Sequence, residues 1–359
     1  PPFWPGVDPA RRTWVTETPR FRWGWGGQAG GVAGGDRAEG DRGEHREGGA
    51  ADEPALGPTW RLGGAEVRVG TCSWADKTLV RNTDWYPKRT MSAAERLRYY
   101  AGRFSLVEAD STYYRPPSRQ LTGAWAERTP PGFVMNVKAY SLMTGHPTKP
   151  DTLWPDIREA LDEDAAGKRN VYPHHLPDDA VEEVWRRFVD GVTPLVEAGR
   201  LGAVLLQYPP WFTPKRANRE ELARARERLG DLPACVELRS PRWLAPDDRD
   251  RTLGWLADHD LALVVVDAPR ASGLPRVVTA TTDLAVVRFH GRADDTWRSG
   301  AGTGAERFRY LYDKSQLRPW VDRVAELAKR AERVHLLLNN CYEDYGVRNA
   351  QDLNDLLDE

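Results

Sequence analysis

The chain has 359 residues, 40% apolar and 29% charged, which is the composition of a globular protein with one large domain or two ordinary ones. Its 51 basic and 53 acidic side chains leave a formal charge of −2. That balance excludes a surface-wide attraction to duplex DNA or anionic membrane, though it permits a local patch. The three cysteines, Cys72, Cys235 and Cys341, are far apart and odd in number, so neither a disulfide framework nor a structural zinc site is expected. A reducing cytoplasm fits best. No run approaches the length of a membrane-spanning helix, and the N-terminus lacks the charged-then-apolar layout of a secretory signal.

Residues 1–58 hold 13 of the 32 glycines and show neither helical nor strand periodicity, so a disordered tail is expected there. A start site placed too early would look the same. Trp4, Trp14, Trp23 and Trp25 also leave room for a partner-binding arm. The following domain, 59–359, becomes regular from about residue 67. Apolar, β-branched runs at Val67–Thr71, Leu106–Ala109, Phe133–Ala139, Ala203–Gln207, Ala234–Leu238, Leu261–Asp267, Ala285–Phe289 and Val334–Leu338 predict eight strands. Helical segments separate nearly all of them. Ser92 and Glu95 form a capping box, Asp178 to Val192 carries an apolar 3–4 spacing, and Ser315–Ala331 reads as one amphipathic helix.

Strands alternating with helices imply parallel pairing, and eight such units match an α/β fold of the single (β/α)8 TIM-type barrel class. An open doubly wound sheet is the rival architecture. The long connection 140–176, rich in Pro, His and Asp, reads as a cover over the active-site end, with His174-His175 solvated.

Each predicted strand begins apolar and turns polar at its end: Cys72-Ser73-Trp74, Glu108-x-Asp110, Asn136-x-Lys138, Gln207-Tyr208, Glu237-x-Arg239, Asp267, Arg288-x-His290 and Asn339-Asn340. Residues two apart on a strand share a face, so these ends are expected to converge on one mouth. Glu237 is the first candidate for general acid or base, with Arg239 or Arg288 setting its charge; His290 is its natural proton-transfer partner. Glu108 and Asp110 add carboxylates. Lys138 suits an anion, or less readily a Schiff base. Gln207, Asn339 and Asn340 suit hydroxyl groups, and Trp74 and Tyr114 suit the face of a ring. Any one of these charges could instead belong to a structural ion-pair network, but polar ends on every strand are costly to bury for packing alone.

Gly300–Gly304, with Arg288, Arg292 and Arg298 nearby, reads as a phosphate-holding loop or a mobile surface loop. Glu108, Asp110, His146, Glu237, Asp267 and His290 could between them ligate a metal, yet no local ligand motif points to one, and neither metal nor cofactor is expected. Trp85-Tyr86, Tyr113, Trp211 and Trp243 also follow strands by a few residues and read first as ordinary packing.

Val69-Gly70-Thr71-x-Ser73-Trp74 with Trp85-Tyr86-Pro87, then Val107-Glu108-x-Asp110-Ser111-Thr112-Tyr113-Tyr114, Val137-Lys138 and Leu206-Gln207-Tyr208-Pro209-Pro210 form an ordered series. It continues through Val236-Glu237-Leu238-Arg239 with Trp243, Arg288-Phe289-His290-Gly291, and Asn339-Asn340 leading to Asn349-Ala350. This series resembles the YecE-like family, domain of unknown function 72, across about residues 67–352. The resemblance implies a barrel with a site at its strand ends and no particular reaction. Asp110 stands where the family more often has Asn, and Cys341-Tyr342-Glu343-Asp344 replaces a smaller or glycine-rich continuation.

The sequence therefore leads to three expectations, in order. The first is an enzyme doing acid–base chemistry on a small anionic, phosphorylated or sugar-like molecule at the barrel rim. The second is a protein binding single-stranded nucleic acid or nucleotides, and the third a metal-dependent phosphodiesterase or nuclease. No membrane partner is expected, and the oligomeric state is open.

Overall fold

The computed structural model describes residues 55–165, 167–295 and 306–359, the Arg307 side chain excepted. Residues 1–54 and the Gly300–Gly304 loop with Arg298 therefore lie outside the described residues. Of the segment read as a tail, Ala55–Pro58 is held in place: Gly57 N–H donates to Ala101 O and the Pro58 carbonyl accepts from Ser105.

A short strand β1 (Thr59–Leu62) pairs antiparallel with β2 (Ala65–Thr71). The hairpin turns on Gly63 and Gly64, at φ +57 and +94, the left-handed pair that a two-residue hairpin needs. Only the Gly-Gly pair signals this strand in the sequence. From β2 onward all pairing is parallel: β3 (Leu106–Ala109), β4 (Val134–Lys138), β5 (Leu201–Tyr208), β6 (Ala234–Leu238), β7 (Ala262–Asp267), β8 (Leu284–Phe289) and β9 (Arg333–Leu338) follow in chain order. The sheet closes where β2 meets β9, from Glu66 opposite Arg333 to Thr71 opposite Leu338. All eight expected strands are present, and the closed barrel replaces the open sheet.

The capping box at Ser92 opens the helix Ala93–Ala101, and the 3–4 spacing after Asp178 becomes the helix Asp178–Glu197. Two segments depart from expectation. The helix read over Ser315–Ala331 is two, Lys314–Leu317 and Pro319–Ala328, because Pro319 has no N–H to continue the first and opens the second instead. Between β7 and β8 the described chain has only a 3-10 turn, Arg270–Ser272. Pro269 and Pro275 with the β-branched run after Arg276 disfavour a helix, and Val277, Val278 and Ala280 lie against the outer core instead.

Strand alternation sorts side chains into two cores. Leu263, Val265 and Val287 are among those that pack outward against the helices. Leu106, Leu205, Cys235, Val264, Val286 and Leu337 fill the barrel itself, so it is packed rather than hollow. Its N-terminal end is plugged by polar groups. Arg68 donates to the carbonyls of Gly132 at 2.7 Å and Ser105 at 3.3 Å, and His335 Nδ1 meets Asn136 Oδ1 at 3.1 Å. Gly202 fits there because a Cβ would stand 2.4 Å from Asn136 Oδ1 and 2.5 Å from Val134 Cγ1. The connection 140–176 is folded down, burying Tyr140, Leu142, Ile157 and Val171. His175, expected in solvent, is buried, and its Nδ1 accepts from the Tyr172 N–H.

Candidate active site at the C-terminal mouth of the barrel

Strands β3, β6 and β8 carry Glu108, Glu237 and Arg288 to one level of the barrel, each no more than 1% exposed. Arg288 spans the two carboxylates, with Nη2 2.6 Å from Glu108 Oε1 and Nη1 2.5 Å from Glu237 Oε2. The other oxygen of Glu237 faces Arg239 Nε and, at 3.2 Å, His290 Nε2. Gln207, beside Glu237 in the ladder, presents Oε1 to Arg239 at 3.3 Å and Arg288 at 3.4 Å. Asn339 Nδ2 lies 2.7 Å from His290 Nδ1. If Asn339 donates there, the imidazole is neutral with its proton on Nε2, facing Glu237.

Two carboxylates and two guanidiniums thus balance inside a water-excluded layer, which offsets a desolvation penalty of several kcal/mol per ion. Burial pushes the Glu237 carboxyl up, but Arg239, Arg288 and His290 outweigh it and hold it well below the usual range. Burial, then Arg239, drives His290 down to about 3. The two residues assigned proton transfer from sequence are therefore fixed in charge near neutral pH, one ionised and one neutral.

A second set of groups lies at this level and toward the rim. Lys138, at the end of β4, has no ion pair among the described residues; its Nζ stands 4.4 Å from the centre of the Tyr113 ring. Burial, reinforced by Arg288, lowers it to about 8 despite Glu108, Glu237 and Asp110. Asp110, just beyond β3, likewise has no ion pair among the described residues, and burial raises it to about 7 against the pull of Lys138. The folded connection contributes His146, whose Nδ1 meets Thr144 Oγ1 at 2.9 Å and which burial and then Lys138 lower to about 4. Its ring continues an aromatic row: Tyr114 to Tyr113 at 5.1 Å, Tyr113 to His146 at 5.3 Å, His146 to Trp211 at 6.2 Å. Both ends are open to solvent, Tyr114 being 68% and Trp211 61% exposed.

The structure brings together Glu108, Glu237, Arg239, Arg288, His290, Gln207 and Asn339, with Lys138 and Asp110 coupled to them electrostatically. Three expected members face the other way: Asp267 and Asn340 because alternate strand positions point to the helices, and Trp74 because it lies in the turn beyond β2. Trp74 is buried edge-on against Trp125 at 5.3 Å. Asn340 donates to Tyr310 O and Asn349 Oδ1, pinning the C-terminal helix Tyr345–Asp358. Asp267 leaves the mouth altogether: it takes Arg292 through two bonds of 2.8 and 2.6 Å, and Trp320 Nε1 at 3.0 Å. Arg292 is accordingly separated from Arg288. Tyr312, which sequence reasoning missed, accepts from the Gly291 N–H at 2.9 Å and donates to Asp267 at 3.3 Å. No spacing in the sequence links those three residues. Among the described residues no three His, Cys, Asp or Glu side chains come together as a metal-holding group.

The family model described as "Protein of unknown function DUF72" matches residues 68–359. The UPF0759 protein YunF of Bacillus subtilis is 28% identical over 298 residues, covering 81% of this chain and 95% of that protein. Among solved structures, a DUF72 family protein from Thermotoga maritima is 29% identical with a TM-score of 0.64, covering 82% of this chain and 99% of its own. Another, from Enterococcus faecalis, is 23% identical with a TM-score of 0.64 over 82% of this chain and 96% of its own, a likeness of fold.

Proposed function

The chain belongs to the DUF72 family, and from that premise we propose that the barrel mouth is an active site performing acid–base chemistry on a small anionic, ring-bearing molecule, sugar-like or phosphorylated. The observation that carries this reading is Lys138. Arg239 and Arg288 are both matched by carboxylates, whereas Lys138 has no ion pair among the described residues and holds its ammonium at the mouth beside Tyr113. An anion arriving there gains a charge-assisted bond that no carboxylate among the described residues already occupies.

Proton transfer falls to Asp110 and Lys138 rather than to Glu237 and His290. A carboxyl near 7 and an amine near 8 are each close to neutrality, where a general base and a general acid work best. Asp110 in its ionised form takes the proton and Lys138 in its charged form supplies one. Glu237, Arg239 and Arg288 provide a fixed field beneath them, and Gln207 and Asn339 orient hydroxyls. The exposed rings of Tyr114 and Trp211 suit the face of a sugar or base.

Those rings also favour a second reading, single-stranded nucleic acid or nucleotide bound without turnover, since stacking platforms beside a cation are its usual means. Salt separates the two, because strand affinity falls steeply with added salt. The first reading is tested by screening metabolites for turnover and comparing Asp110→Asn and Lys138→Met with the parent. Loss of turnover in both, with folding intact, supports it; unchanged turnover in both ends it.

A further inference from the structure

The outward turn of Asp267 creates a second cationic recess. A cavity of about 310 Å³ at the ends of β7 and β8 is lined by Ala268, Arg270, Arg276, Arg292 and Asp294. Two of these arginines share the fully buried Asp267 carboxylate: Arg292, at 2.6 Å, and Arg276, at 3.4 Å. Of the two acids, Asp267 is spent on these arginines and on Trp320 and Tyr312, while Asp294 Oδ1 accepts the Ala271 N–H at 2.8 Å. Arg270 has no ion pair among the described residues, so three arginines face two carboxylates and the recess is left net positive. Arg292 spends Nε and Nη2 on Asp267, and that grip fixes the plane of its guanidinium. A guanidinium held on one side by a buried acid is pre-oriented for a second anion on the other.

The geometry points to a phosphate site here: the recess binds a phosphoryl dianion, as free phosphate or as part of a phosphate monoester. Two or three forked donors around one tetrahedral oxyanion give the bidentate contacts that make arginine the residue of choice for phosphate. The site is separate from the mouth, since Arg292 points outward while Arg288 and His290 of the same stretch point inward, and it stands whether or not the mouth is catalytic. The two places are joined by one relay, Asp267 to Tyr312 to the N–H of Gly291, the residue after His290.

Inorganic phosphate titrated into the full chain by calorimetry in a non-phosphate buffer is the test, with Arg276→Gln, Arg270→Gln and Lys138→Met compared. Arg270 and Arg276 are on the surface, so their variants are expected to fold, which matched melting curves check. The expected result is a saturable binding event weakened by about tenfold in each arginine variant, in line with the loss of one charge-assisted contact; that event keeps its affinity in Lys138→Met, which removes only the separate binding at the mouth. Binding that survives both arginine changes, or vanishes with Lys138, overturns the assignment, as does no binding at all. Phenyl phosphate distinguishes the two sources. If it binds as tightly as inorganic phosphate, the recess accepts a monoester; if it does not bind, the recess takes free phosphate.

Discussion

The two ends of the barrel are both polar, and they are polar in different ways. At the N-terminal end Arg68 is spent on Glu66 and on two backbone carbonyls, and His335 on Asn136. Those charges and dipoles close the barrel and face nothing that arrives from outside. At the C-terminal end four charged groups pair with each other, and two more, Asp110 and Lys138, have no ion pair among the described residues and lie beside an open aromatic rim. Polarity alone therefore does not mark a site in a barrel. What marks it is charge that the protein has buried part-way and not paired.

That comparison can be broken by substitution. The largest effect is expected from Arg288→Leu, which strands Glu108 and Glu237 without their shared cation. Breaking a buried pair from one side costs about 3–5 kcal/mol, so denaturant unfolding should show a loss of that order. Gly202→Ala, at the opposite end, should cost about 1–3 kcal/mol by overpacking against Asn136 and Val134, with ligand binding at the mouth unchanged. His335→Ala should cost about 1–3 kcal/mol by leaving Asn136 without its partner, again with no effect on binding. A binding defect in either of the last two would erase the distinction between the ends.

Lys138→Met and Asp110→Asn should do the reverse, abolishing binding while leaving stability equal or better. Their effects depend on pH in opposite senses. Lys138 falls on folding from 10.5 to about 8, so its stability contribution is present above 10.5 and lost as pH falls through 8; Lys138→Met therefore gains at pH 7 relative to pH 11. Asp110 rises on folding from 3.8 to about 7, so its contribution is present below 3.8 and lost as pH rises through 7; Asp110→Asn therefore gains at pH 8 relative to pH 3.5. Thermal unfolding at those pH values checks both signs.

Much of this was legible in the sequence, because period-two alternation and β-branched runs are local signals. They placed all eight barrel strands and led to the expectation that their polar ends converge on one mouth. The same alternation, applied one residue too far, put Asp267 and Asn340 in the mouth, where their register turns them outward toward Trp320 and Asn349. Sequence also gave Glu237 and His290 the proton. Their charge is decided by how many cations surround one carboxylate, and that depends on contacts between strands 51 residues apart. That Lys138 has no ion pair among the described residues is likewise a property of the assembled barrel.

The central claim is that the mouth holds two titrating groups near neutrality above a layer that does not titrate there. NMR titration with labelled lysine and aspartate tests it directly. The account predicts that Lys138 changes charge near pH 8 and Asp110 near pH 7, and that His290 stays neutral throughout that range. Titration of Lys138 near 10.5 and Asp110 near 3.8, or a His290 midpoint near 6.5, would contradict it.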